Sequence, residues 1–364
     1  MSAKRSTMID WDLAVSAATK MSGPGPTISA DEAAAVVAEL RAGAERSTPL
    51  VREFTGLVAP EGTARTAPLL IVDRPGWIQA NVDGFAQVMS PLLEKVQEKK
   101  GSPNAMAEAI GSRVTGLEVG ALLGFMSSKV LGQFDPFYAP AGSLEAGRML
   151  LVAPNIVHAE NELGVDTKDF RPEDFRLWVC LHEETHRVQF TAVPWMRDHI
   201  HAEIAKLVGS VEVDPAKLAA LVGEGVKRFG EIVRGAEDVS LMDLLQTPEQ
   251  KEVLERITGV MSLLEGHADV VMDGVGPEVI PSVALIRRKF NERRKGAGAF
   301  DRVLRRLLGL EAKMAQYRNG AAFVRGVVDE VGMEGFNKVW VAPENLPSKD
   351  EIGDPAGWVR RVHG

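Results

Sequence analysis

Disulfide cross-links are excluded at once, because the 364 residues contain one cysteine, Cys180. That count also excludes a cysteine-rich zinc finger and points to a reducing, cytoplasmic setting. Cys180 stands in an apolar stretch two residues before a histidine, where a thiol reads as buried and structural. Aromatic residues are scarce at 6%, with two tyrosines, whereas alanine and glycine abound, a mixture suited to closely packed helices. There is no excess of positive charge. Fifty acidic residues against 42 basic ones leave a formal net charge of −8, which gives no support to a nucleic-acid or anionic-membrane partner. Long hydrophobic runs are missing as well. The stretch from Gly116 to Met126 is about half a membrane span and carries Glu118, so its Gly116, Gly120 and Gly124 spacing reads as a soluble helix packed closely on a neighbour. The first residues, Met1 to Trp11, have no apolar segment of signal-peptide length, and secretion is not expected.

The remainder is dominated by helical periodicity. Ser29 followed by Asp31 and Glu32 has the form of an N-cap with first-turn acids. Helical patterns run from Gly76 to about Lys100, from Asn104 to Leu131, from Pro172 to about Thr191 with Pro194 ending it, and then over Ala216–Val233, Pro248–Asp273, Val283–Arg294 and Phe300–Glu330. The basic cluster Arg287, Arg288, Lys289, Arg293, Arg294 and Lys295 reads as a solvated helix face. Two short apolar runs stand apart. Thr66 to Asp73 fits either a buried strand or an extended linker, and Arg148 to Val152 fits a strand, either an ordinary core strand or one able to bind an extended peptide. The expected organisation is a helical N-terminal region over 1–132, a catalytic region over 133–340 with a helical insertion at about 195–247, and a C-terminal tail over 341–364.

Chemistry concentrates in His182-Glu183-Glu184-Thr185-His186. On a helix, positions four apart share a face, so both imidazoles present to one point, as a zinc ion requires. Glu183 is turned about 100° from His182 and is placed to act as general base on a zinc-bound water rather than as a ligand. With seven histidines in the chain, such a string arises by chance roughly once in a hundred comparable sequences. Catalytic zinc needs a third protein ligand. A metzincin would have a histidine six residues after His186, where Ala192 stands, so the alternative is the gluzincin pattern with a glutamate on a later helix. Glu265 in Leu263-Leu264-Glu265-Gly266-His267-Ala268-Asp269 fits that role, with Asp269 as the acid holding a ligand histidine by its second ring N–H. His267 is the competing ligand, or a transition-state donor. Glu265 lies 79 residues after His186, a longer gap than that class usually shows, which the insertion accounts for. Tyr317 or Arg318, in the polar run Gln316 to Gly320, is a candidate oxyanion donor, with half-buried core the alternative for the tyrosine. His158, His199 and His201 are assigned no role in the site.

In that order and at those spacings, Leu181–Phe190 (LHEETHRVQF), Leu263–Gly274 (LLEGHADVVMDG) and Leu310–Val324 (LEAKMAQYRNGAAFV) resemble the bacterial zincin-like metallopeptidase family. Its members carry the label of unproven hydrolases, or of proteins associated with biosynthesis of a deazaflavin coenzyme (F420). The resemblance covers roughly Trp11 to Trp340. It implies a mainly α (α+β) zincin-like fold with a small β element, Zn2+ held by His182 and His186, and Glu183 as base; Glu265 rests on the gluzincin analogy as much as on the family. Three readings stay open: a metallopeptidase, a zinc hydrolase of a small metabolite amide, and a zincin-fold scaffold or binding protein without turnover.

Overall fold

The computed structural model describes residues 8–59, 68–99, 105–138, 147–164, 169–209, 247–295 and 314–364. The helices expected over 216–233 and the first part of the one expected over 300–330 lie outside these residues.

Two helices open the chain, α1 (Trp11–Ser22) and α2 (Ala30–Thr55). Ser29 caps α2 reciprocally with Glu32, satisfying two otherwise unpaired N–H groups. Strand β1 (Leu69–Val72) follows, then α3 (Arg74–Lys99), α4 (Ala105–Ser127), β2 (Gly132–Asp135) and β3 (Arg148–Val152). The glycines of α4 do pack on a neighbour: a Cβ at Gly116, Gly120 or Gly124 would stand 2.5–2.9 Å from atoms of Asp10, Ala14, Ala17, Ala18 or Met21 on or beside α1. The segment 69–72 is thus a strand, and β3 spans the residues expected of it. Its place differs from one of the two readings. Sheet order is β1-β3-β2, with β3 parallel to β1 and antiparallel to β2, so both edges of β3 are already paired and β2 is an edge strand. Strand β2 went unread because four residues, Gly-Gln-Phe-Asp, directly before Pro136 carry too short a period to register.

Every residue of β3 is buried, and its two faces serve different cores. Met149 and Leu151 join the larger core with residues of α2 and the later helices, whereas Leu150 and Val152 join Trp11, Trp77, Ile78 and Leu123. Helix α5 (Ala153–Gly164) leads to α6 (Pro172–Ala192), with Pro172 in its first turn and Val193 before Pro194 at its end. Then come α7 (Pro194–Gly209), α8 (Pro248–Gly274), α9 (Val283–Lys295), α10 (Met314–Phe336) and α11 (Pro355–His363). The stretch expected as a tail is core: Ile352, Trp358 and Val359 are buried in the larger cluster. A single tryptophan on an amphipathic nine-residue helix is enough to anchor it there. The expected boundary at 132 is likewise crossed, because Val36, Leu40, Ala44 and Val51 of α2 pack with α6 in that same core.

Candidate metal centre

Helix α6 runs through the middle of the larger core with Phe175, Trp178, Val179, Cys180 and Leu181 buried before the motif and Val188 after it. Apolar neighbours on nearly every side fix its rotation. The Cys180 thiol is enclosed against α2, reaching the Leu40 carbonyl at 3.6 Å, and burial with the nearby Glu183 and Glu184 carboxyls pushes it up to about 12. It is a structural thiol. Glu184 turns the other way from the metal face, pairing with Arg187 at 2.7 Å.

The two histidines share one face. Their Nε2 atoms stand 3.2 Å apart with the rings perpendicular and their centroids 4.7 Å apart. Helix α8, capped by Thr247 and Gln250 and started by Pro248, brings Glu265 opposite them. His182 Nε2 lies 3.5 Å from Glu265 Oε2, and His186 Nε2 lies 3.5 Å from Glu265 Oε1. One donor atom from each of the three falls within 4.8 Å of the other two. Two nitrogens and a carboxylate converging so closely form a donor set suited to a borderline divalent cation such as zinc. The Glu265 side chain is 54% exposed against 24% and 12% for the histidines, so the cluster faces solvent on the glutamate's side.

Close approach of α8 depends on glycine. A Cβ at Gly266 would stand 2.2 Å from the Gly320 carbonyl carbon, and one at Gly320 would stand 2.2 Å from Ser262 O. Helices α8 and α10 thus touch backbone to backbone beside Glu265.

Glu183 is almost wholly buried, and burial together with the charge of Glu265 holds its carboxyl well above the usual carboxylate range. Strand β2 covers it: a Cβ at Gly132 would lie 2.5–2.7 Å from its Cγ, Cδ and Oε1.

Behind the histidines stand two residues that the sequence did not single out. His186 Nδ1 is 2.9 Å from Gln189 Oε1, and His182 Nδ1 is 3.2 Å from Met272 Sδ. Asp269, expected to hold a ligand histidine, accepts from Arg287 at 2.9 Å; Arg287 also pairs with Asp273 and lies over the Trp178 ring. That arginine comes from a helix face expected to be solvated, and its charge draws Asp269 into an ion network linking α8 and α9. His267 is enclosed, stacked on Phe336 and tilted against Trp340, with burial and then His186 lowering it to about 3, so its ring is neutral. It is not among the converging groups, and its Nδ1 meets Gln189 Nε2 at 2.9 Å. Tyr317 lies in the first turn of α10, three residues before the Gly320 contact; its side chain, like that of Arg318, lies outside the described residues. His158, His199 and His201 stand away from the site, beside Glu162, Trp195 and Phe137 respectively. Gln189 escaped notice although it stands three residues after His186, hence on the same helix face, and Gly132 escaped because its strand did.

Two histidines one turn apart on a buried helix, completed by a glutamate from a second helix, define the zincin type of site. The chain belongs to the zincin-like metallopeptidase family, whose sequence profile matches residues 9–359. It is also similar to a crystal structure described as "a putative hydrolase with a novel fold" from Chloroflexus aurantiacus, at 31% identity and a TM-score of 0.69, with 98% of this chain and 99% of that one covered. Comparison with curated proteins gives no match. Among the described residues, no helix is long and apolar enough to cross a membrane.

Proposed function

We propose that the chain is a zinc-dependent hydrolase that cleaves amide bonds, most simply those of peptides. The observation carrying this reading is the convergence of His182, His186 and Glu265 within 4.8 Å, with a buried carboxylate next in sequence to the first histidine. These three residues would hold the metal. When bound there, zinc supplies Lewis acidity and makes water a nucleophile near neutral pH. Glu183 takes the proton of the attacking water and returns it to the leaving amine, a role supported by its burial and its place next to His182. From its place in the sequence alone, Tyr317 is proposed as donor to the developing oxyanion.

Zinc analysis and a peptide-library digest test this together. Wild type is expected to carry one zinc per chain and to cleave. Glu183→Gln is expected to retain the metal while losing about 10²–10⁴-fold in turnover. Peptide cleavage that survives in Glu183→Gln would remove the assigned base. Stoichiometric zinc without any peptide cleavage would move the substrate to a small amide or leave a binding protein, and purified protein without zinc would defeat the hydrolase reading altogether.

A further inference from the structure

Gln189 is fully buried on α6, and three contacts meet at its amide. Oε1 stands 2.9 Å from His186 Nδ1, while Nε2 stands 3.0 Å from the carbonyl oxygen of Leu264 and 2.9 Å from His267 Nδ1. A backbone carbonyl can only accept, so Leu264 decides which end of the amide faces α8. The reversed amide would set Oε1 against Leu264 O and present an N–H2 group to His186.

With the orientation settled, the protons follow. His186 must donate from Nδ1–H to Oε1, which leaves its Nε2 with a free lone pair directed at Glu265 and His182. His267 must accept at Nδ1 from the same amide, so its own proton resides on Nε2. That nitrogen is buried and meets no hydrogen-bond partner among the described residues.

We propose that Gln189 is a positioning residue that selects the Nδ1–H tautomer of His186 and so readies Nε2 as a metal ligand, with Leu264 O and His267 acting through it. The role rests on reading His182, His186 and Glu265 as a metal site. A carboxylate behind a ligand histidine would raise its basicity by charge; an amide does not, and must be oriented by neighbours to give the same tautomer. Two acceptors on α8, the helix that also carries Glu265, do this here. The tautomer and the third ligand are thereby delivered by one helix.

The test begins without any variant. Nitrogen-15 NMR of metal-free wild type is expected to show His186 protonated on Nδ1 and His267 protonated on Nε2; His186 protonated on Nε2, or an even mixture, overturns the proposal. Zinc affinity, measured by competition with a chromogenic chelator, should then fall about 10–100-fold in Gln189→Leu. His267→Phe should lower it in the wild-type background and have no further effect in Gln189→Leu, because it acts through the amide. Additive losses would reduce both residues to ordinary packing. Should Gln189→Leu fail to fold, Gln189→Met, unbranched and without donors, takes its place. Wild type that binds zinc alongside variants of equal affinity removes this role alone, whereas wild type that binds no zinc removes the metal site beneath it.

Discussion

Glu183 owes its depth to a residue with no side chain. Gly132 brings the backbone of β2 onto the carboxyl group, closing off water that would otherwise solvate the charged form. Gly132→Ala should leave the fold and zinc content intact, since the methyl group meets a side chain rather than a backbone, while displacing the base by enough to lower turnover about 10²-fold with KM little changed. Steady-state kinetics with zinc analysis would check this; unchanged turnover would mean that the carboxyl group adapts freely. The grouping of His182, His186 and Glu265 was legible in the sequence because it needed only helical spacing and a familiar ligand chemistry. Gly132 and Met272 were not, since nothing local says which strand or helix will lie alongside. For a related reason spacing along α8 placed Asp269 on its face but could not announce Arg287, the cation from another helix that engages it.

Among the elements, the crossing of α8 and α10 has the least tolerance. Gly266 and Gly320 meet with no side chain between them, so the separation of the two helix axes is set by main-chain atoms alone. Gly266→Ala must push them apart, at a cost of about 1–3 kcal/mol for overpacking, and it should also move the neighbouring Glu265 away from the histidines. We expect a lower unfolding midpoint in denaturant together with weaker zinc binding. A variant with the lower midpoint and wild-type zinc affinity would show that α8 shifts without carrying Glu265 with it. Helix positions were read with good accuracy wherever a proline or a capping residue marked the start, as at Ser29, Pro172 and Pro248. The short strands fared worse. Leu69–Val72 was ambiguous by pattern, and Gly132–Asp135 gained its strand character only by pairing with Met149 to Leu151 and Arg148, which no local signal announces.

At the scale of the whole molecule, the candidate metal site joins α6 to α8 across the larger core, so a cation bound there should stabilise the fold and not just the site. Zinc at about a thousand times its dissociation constant would contribute about 4 kcal/mol. Calorimetry should show the thermal midpoint of wild type rising with zinc and falling with a chelator, whereas His182→Ala should respond to neither. A response in His182→Ala equal to that of wild type would place the cation elsewhere. The mainly helical class was readable from composition and periodicity. The larger core gathers side chains from along the whole sequence: α2 packs on α6, and Trp358 of α11 lies edge-on to Phe323 of α10.

Strand β3 gives this interleaving a form that genetics could see. Adjacent residues along it belong to different neighbourhoods, Met149 and Leu151 to one and Leu150 and Val152 to the other. Second-site suppressors of a damaged Leu150 should accordingly map to α1, α3 and α4, and those of Leu151 to α2, α6 and beyond, so that the origin of a compensating change alternates with each step along a strand only five residues long.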